Sequence, residues 1–217
     1  MDAADNIRSY KDRLRIFLII YLFAEDFSDN AHPSRRKLFK SEVRIQKIDF
    51  LIRNPDYLAY ELLILAKQQS SLKTEIKKIV KSILEEKEPL IRRLEMERFF
   101  YGAYEDIDDV IAFLKSIGFV EFSSKKSRDL RTIEKHYYIT DLAIENFENK
   151  KDKMDALKWY INRCDTIRKY FGDLKGTDLK VSQYKIDEYR NTSYNDYISS
   201  IYSLVRDEYQ NLYKESL

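Results

Sequence analysis

Residues 106–148 limit the fold of this chain more than any other segment, because their apolar pattern changes period twice. Residues 106–117 have a helical stripe that Gly118 closes, as glycine commonly does after the last turn of a helix. The segments 119–122 and 132–140 have the alternation and the β-branched and aromatic content of strands, with a polar, basic turn between them. A capped helix follows. This order predicts the recognition helix and wing of a winged helix-turn-helix domain, although any helix followed by a β-hairpin gives the same pattern.

The predicted fold class is mainly α: a winged helix-turn-helix core with a small β-hairpin wing, and a C-terminal helical hairpin or extension. We expect residues 1–150 to form the helical and winged-helix domain, and residues 151–217 to form two antiparallel helices. Asn54 and Pro55 predict the end of one helix and the start of the next. A short strand is predicted near 94–98, with a helix as the alternative. Further helices are predicted at 7–23, 43–52, 57–66, 72–84, 154–171 and 194–212.

The composition excludes several functional classes. Lys and Arg number 39 against 37 Asp and Glu, so any cationic binding site must be a local patch. None of the four glycines lies in a phosphate-binding pattern, which argues against Walker-type and dinucleotide-binding proteins. Cys164 is the only cysteine and there are only two histidines, so neither a disulfide framework nor a Cys/His zinc site is expected.

The most apolar stretch, residues 16–24, is far shorter than the 18 or more apolar residues that a spanning helix needs. The acidic N-terminal residues lack the cationic region of a signal peptide. We therefore expect a cytoplasmic protein without a membrane segment, whose first helix is deeply buried.

Two basic clusters are candidate nucleic-acid contacts, because lysine and arginine can bind backbone phosphates of double-stranded DNA. One cluster precedes the second predicted helix and the other lies on the predicted wing. A solvated face of a lysine-rich protein is the plainer explanation for both. The candidate residues are Arg35, Arg36, Lys37, Lys40, Lys125, Lys126, Arg128, Arg131 and Lys135.

No catalytic constellation stands out, so we predict a protein that is not an enzyme and needs no cofactor or metal. Arg131 and His136 have the R-x4-H spacing of HEPN ribonucleases, but they fall in a strand-like segment rather than on a helix. Acidic residues at 105–109 suit the positive end of a helix dipole better than a metal site. Cys164 lies in a helical apolar register, as a structural thiol does.

Tyrosines are dense near the C-terminal end of the sequence. Tyrosine offers a large contact area with a polar tip and is enriched at protein interfaces. We therefore predict a docking surface for a partner there, formed by Tyr194, Tyr197, Ile201, Tyr202, Val205 and Tyr209.

The phrases FLKSIGFVEF and YYITDLAIENF resemble winged-helix repressors. Residues 44–63 (RIQKIDFLIRNPDYLAYELL) and 96–121 (MERFFYGAYEDIDDVIAFLKSIGFVE) resemble the middle component of bacterial ABC-three-component systems, a family that includes the small subunit of Lamassu-type antiphage defence complexes. Ala103 stands where that family's pattern leads us to expect proline.

That resemblance implies a non-enzymatic subunit that joins an SMC-like ATPase to a separate effector, often a nuclease, and couples DNA sensing to release of the effector. Two other interpretations stay open. The chain could be a free winged-helix transcriptional regulator, which would bind operator DNA as a dimer. It could also be an HEPN-like ribonuclease, which would depend on His136.

Overall fold

The computed structural model describes residues 3–85, 96–99, 102–126, 132–153 and 155–217. It is mainly helical with a small antiparallel sheet. The helices are α1 (Ala3–Phe23), α2 (Glu42–Arg53), α3 (Pro55–Gln68), α4 (Lys73–Glu85), α5 (Asp108–Ser116), α6 (Asp141–Glu148), α7 (Asp155–Phe171), α8 (Gly176–Gln183), α9 (Asp187–Asn191) and α10 (Tyr202–Tyr213). The strands are β1 (Glu25–Asp26), β2 (Arg35–Lys40), β3 (Glu97–Phe99), β4 (Gly102–Tyr104), β5 (Val120–Lys126) and β6 (Thr132–Thr140).

The chain divides into two compact units, each built from two separate stretches of sequence. The first unit contains Met1–Asp49 and Glu105–Thr177, and the second contains Phe50–Tyr104 and Asp178–Leu217. The predicted domain boundary after residue 150 lies inside the first unit, where α7 packs against α1.

The sheet of the first unit has the strand order β1-β2-β6-β5, with antiparallel neighbours throughout. The predicted hairpin is confirmed: β5 pairs with β6, and Val120 lies opposite Ile139. Strand β2 was not predicted, because its sequence RRKLFK contains four cations and no β-branched residue. It pairs with the other side of β6, where Phe39 lies opposite Tyr137 and both side chains are buried.

Helix α1 supplies the apolar centre of the first unit, as its sequence predicts. Ile16, Leu18, Ile19 and Ile20 are at most 1% exposed, and the helix packs against α5, α7 and the sheet. Thr140 caps α6 by accepting a hydrogen bond from the Ala143 amide, which confirms the predicted helix start. Within the described ranges, none of the helices is both long and apolar enough to cross a membrane.

The second unit is built on α3, which packs against α4 and α10. Pro55 occupies the first turn of α3, as predicted, because a helix start does not need the amide hydrogen that proline lacks. The Asn54 side chain makes no capping hydrogen bond to α3. Its amide instead donates to the Phe50 carbonyl oxygen at 2.8 Å, closing the end of α2.

The predicted C-terminal hairpin is also wrong. Helix α7 matches the first predicted helix, but the second begins only at Tyr202, and the short helices α8 and α9 lie between them. Helix α7 packs against α1 of the first unit, whereas α10 packs against α3 of the second. An apolar stripe shows that a helix has a buried face, but it does not identify the helix that covers this face.

Candidate nucleic-acid and partner surfaces

Strand β6 brings the two predicted basic clusters together, since β2 pairs with one of its edges and β5 with the other. Lys40 of β2 lies opposite His136, and Lys125 of β5 lies opposite Glu134. Because side chains alternate across a strand, Lys40, Lys125, Glu134 and His136 share the face of the sheet that is turned away from the core. This juxtaposition could not be predicted without knowing that β2 is a strand.

Of the seven candidate phosphate ligands that the structure describes, Arg35 and Lys135 are held in ion pairs. Arg35 Nε lies 2.8 Å from Glu121 Oε2, and its guanidinium stacks over the Tyr138 ring with a carbon-to-centroid distance of 4.2 Å. The hydrogen bond from Arg35 lowers the pKa of Glu121. Lys135 pairs with Glu42 and lies 3.6 Å from Asp108. Both cations would have to leave a carboxylate before they could bind a phosphate.

The other described candidates differ in their surroundings. Arg36 and Lys37 line an open groove together with three carboxylates, those of Asp26, Asp141 and Glu145, so the groove is not an anion site. Lys40, Lys125 and Lys126 are exposed. Arg128 and Arg131 lie outside the described residues.

Glu134 lies between cations on the outer face of the sheet. Its pKa is lowered, first by contact with His136 and then by the charges of Lys40 and Lys125. The positive charge of the outer face is therefore partly neutralised by Glu134.

Helix α5, the predicted recognition helix, exposes an acidic first turn. Asp108 and Asp109 are exposed there, and Lys115 is the cation of its last turn. The Asp108 side chain is 78% exposed. A helix that enters the major groove passes between two rows of phosphates, which these carboxylates would repel. The described surface of α5 is therefore poorly suited to reading DNA.

His136 and Cys164 have structural surroundings. His136 lies on β6, with Nε2 2.9 Å from Glu134 Oε2 and Nδ1 3.4 Å from the Tyr138 hydroxyl. Arg131, its partner in the R-x4-H spacing, is outside the described residues. Cys164 is buried in α7, and burial raises the pKa of its thiol, which keeps it protonated. Within the described stretches, we find no group of three or more His, Cys, Asp or Glu side chains that could hold a metal ion.

The predicted tyrosine-rich docking surface separates into buried and exposed residues. Ile201, Val205 and Tyr209 are at most 1% exposed, since they form the face of the C-terminal segment that is buried in the second unit. They are therefore core residues and cannot meet a partner while the unit is folded. The exposed members are Tyr194, Tyr197 and Tyr202, which are 56%, 48% and 49% exposed.

Tyr197 belongs to an aromatic face that the sequence did not identify. Glu97 of β3 lies opposite Tyr104 of β4 on one side and forms a bridge with Tyr197 on the other. The Phe99 ring stacks on Tyr104 with a centroid distance of 5.6 Å and is 40% exposed. We call these four residues, Glu97, Phe99, Tyr104 and Tyr197, the aromatic face. Its sequence signals are the predicted strand near 94–98, of which residues 94 and 95 are outside the described residues, and the docking candidate Tyr197.

Comparisons of the chain with protein-family models, with curated proteins and with solved structures found no match.

Proposed function

We propose that the protein is a non-catalytic assembly subunit that binds other proteins through a winged-helix core and an exposed aromatic surface. The observation that carries this proposal is the acidic surface of α5. A winged-helix domain that reads DNA needs a recognition helix compatible with phosphates, whereas one that binds proteins does not.

The winged-helix assignment is supported by the sheet order. Strand β2 pairs with β6, β6 pairs with β5, and α5 immediately precedes this β5–β6 hairpin. A winged helix has this arrangement, in which a strand from the start of the domain adds to the wing hairpin that follows the recognition helix. Helix α1 before β2 and helix α2 after it fit the same scheme.

The resemblance to ABC-three-component middle components supplies the identity of the proposed partners. In this proposal, the chain binds an SMC-like ATPase and a separate effector, such as a nuclease, in antiphage defence. It couples DNA sensing by the ATPase to the effector. Direct contact with double-stranded DNA through Lys40, Lys125 and Lys126 would be an accessory to that role.

The second candidate is a free winged-helix transcriptional regulator. The observation in its favour is that Lys40, Lys125 and Lys126 are exposed on the β2–β6–β5 sheet, where a wing contacts the phosphate backbone. This candidate requires the protein to bind duplex DNA by itself.

The experiment that separates the two is purification of the tagged chain from its native host at physiological salt, followed by mass measurement of the eluted particle. We expect a complex of fixed stoichiometry that contains a large coiled-coil ATPase. A lone monomer or homodimer would contradict the assembly role.

Duplex binding at low salt is measured in parallel with the double variant Lys125→Glu/Lys126→Glu. The matched control is Lys150→Glu/Lys153→Glu, which reverses two exposed lysines of the same unit. A regulator should lose DNA binding only in the first variant, whereas an assembly subunit should keep its complex in both. RNA cleavage that disappears in His136→Ala would instead establish a ribonuclease.

A further inference from the structure

We propose that the aromatic face, formed by Glu97, Phe99, Tyr104 and Tyr197, binds the guanidinium or ammonium group of a basic segment of a partner protein. The inference rests on the proposed function only in taking the partner to be a protein. The chemistry of recognition follows from the described residues themselves.

The strand register places a carboxylate between aromatic rings. Because directly opposed residues in antiparallel strands point to the same face, the side chains of Tyr104, Glu97 and Tyr197 form one row. Phe99 lies two residues after Glu97 and therefore on the same face, where its ring stacks on Tyr104. A group bound over this row would contact the Glu97 carboxylate and the flanking rings together.

This combination of groups is selective for a cation. The faces of aromatic rings carry negative electrostatic potential and attract lysine and arginine side chains. A carboxylate adds a charge-assisted hydrogen bond, which is stronger than a neutral one. Glu97 is exposed, and the described part of the chain gives it no ion-pair partner.

The reverse side of the same ribbon already uses this chemistry within the chain. Arg98 points away from Glu97, and its guanidinium lies over the rings of Tyr184 and Tyr194 at 5.7 and 5.4 Å from their centroids. It also donates a hydrogen bond to the Thr192 carbonyl oxygen. Tyrosines of this unit therefore hold a guanidinium on one side of the ribbon, and the aromatic face offers comparable groups on the other.

The same row of residues is unfavourable for nucleic acid. Aromatic rings can stack on bases, but single-strand sites combine such rings with cations that follow the phosphates. The aromatic face has a carboxylate at its centre, and the guanidinium of Arg98 is on the reverse side. A basic protein segment is the partner that this charge favours.

The test is fluorescence anisotropy with a labelled, end-blocked peptide of four arginines separated by glycines, titrated with the full chain. A matched peptide of four glutamines and a labelled dodecathymidine strand serve as comparison ligands. We expect the arginine peptide to bind, and to bind more weakly as salt is raised, whereas the other two ligands should not bind.

Variants locate the binding site. Glu97→Gln and Tyr197→Ala should each raise the dissociation constant about threefold to tenfold, as expected for loss of a charge-assisted hydrogen bond or a cation–π contact. Tyr197→Phe should bind like the unaltered chain. Glu188→Gln changes an exposed acid elsewhere in the unit and Tyr10→Ala changes an exposed tyrosine of the first unit, so their dissociation constants should stay within about twofold. Thermal unfolding of each variant verifies that it is folded.

Absence of peptide binding, equal losses in the controls, or preference for the oligonucleotide would each overturn the inference. These outcomes can be distinguished from failure of the proposed function. If the chain purifies from the host in a complex but does not bind the peptide, the assembly role remains supported and only the proposed binding surface is contradicted. Peptide binding by a chain that purifies alone supports the surface and contradicts the assembly role.

Discussion

Arg15 is a buried charge of the first unit with three carboxylate partners. Its Nε lies 2.5 Å from Asp49 Oδ1, while its terminal nitrogens lie 2.8 Å from Asp12 and 3.2 Å from Glu105. The Arg15 side chain is 1% exposed, and its carboxylate neighbours raise the pKa of the guanidinium despite its burial. The side chain joins α1, α2 and the segment before α5, so its charge holds three parts of the unit together.

Replacing Arg15 by methionine should lower the free energy of unfolding by about 3–5 kcal/mol, because it leaves the Asp49 carboxylate buried without its guanidinium. Urea denaturation measures the change. The double variant Arg15→Met/Asp49→Leu should recover a large part of the loss, since it removes both charges. Asp12→Asn, at a more exposed position, should cost about 1 kcal/mol. Equal losses in all three variants would contradict the assigned role.

The ion pairs of Glu215 make the stability of the second unit depend on pH. Its carboxylate lies 2.8 Å from Lys77 Nζ and 3.0 Å from Lys81 Nζ, and it accepts a hydrogen bond from the Tyr209 hydroxyl. These contacts lower the pKa of Glu215 from 4.5 to about 2. A lowered carboxyl pKa stabilises the fold above the unfolded value and loses this contribution as the pH falls through the folded value.

As the pH falls from 4.5 to 2, the free energy of unfolding of the unaltered chain should therefore decrease by more than that of Glu215→Gln, which has no carboxyl group to protonate at this position. The measurement is the urea midpoint as a function of pH for both proteins. Asp207→Asn, an exposed control on α10, should follow the unaltered chain. Parallel curves for Glu215→Gln and the unaltered chain would show that these contacts contribute nothing in solution.

Among the elements, the start of α10 is held by hydrogen bonds to the buried Asp56 carboxylate at the start of α3. Asp56 Oδ2 accepts hydrogen bonds from the Ser200 hydroxyl at 2.7 Å and from the Ile201 amide at 2.8 Å. The Tyr57 hydroxyl also donates to the Ser199 carbonyl oxygen. The segment that enters α10 is therefore fixed by polar contacts before the helix begins.

Asp56→Ala should cost about 2–3 kcal/mol and accelerate hydrogen exchange in residues 198–213, because the buried Ile201 amide and the exposed Ser200 hydroxyl both lose their acceptor. Ser200→Ala removes one of these donors together with its hydrogen bond, so it should cost about 1 kcal/mol. Exchange is measured by mass spectrometry of peptic peptides. Acceleration spread evenly over both units would show that Asp56 has no local role.

The helices and strands also show which parts of the fold can be predicted from the sequence. Apolar periodicity predicts α4 and α5, which each bury one stripe, and the apolar content of α1 and α3 predicts helices whose consecutive residues are buried. It does not predict β2, in which four of the six residues are cations and Phe39 is the only deeply buried residue. Three residues of the aromatic face lie within positions 97–104, but Tyr197 is distant in sequence and only its pairing with Glu97 brings it to the others. Pairing between distant segments is the information that local patterns lack.

At the scale of the whole molecule, neither unit is a continuous stretch of chain. The first unit takes in α7, whose Leu157, Tyr160, Cys164 and Ile167 are buried, and the second is completed only by α10. The Gln46 side chain bonds to both the amide and the carbonyl of Glu105, so the two stretches of the first unit approach each other near residues 49 and 105.

These contacts predict which fragments can fold. A fragment of residues 1–150 lacks α7 and should not unfold cooperatively in urea. A chain of residues 1–49 and 105–177 joined by a short glycine–serine linker contains the first unit and should unfold cooperatively. Cooperative unfolding of the 1–150 fragment would instead support a domain boundary at residue 150.

The pairing of β2 with β6 also affects folding of the chain during its synthesis on the ribosome. Lys40 pairs with His136, so β2 leaves the ribosome long before its partner strand has been synthesised. At roughly 5–20 residues per second, this delay is about 5–20 seconds. During that interval, the apolar residues of α1 have no completed sheet or α7 to cover them. We therefore expect the nascent chain to be a client for chaperones that hold exposed apolar segments, and its yield in cells should depend on their supply.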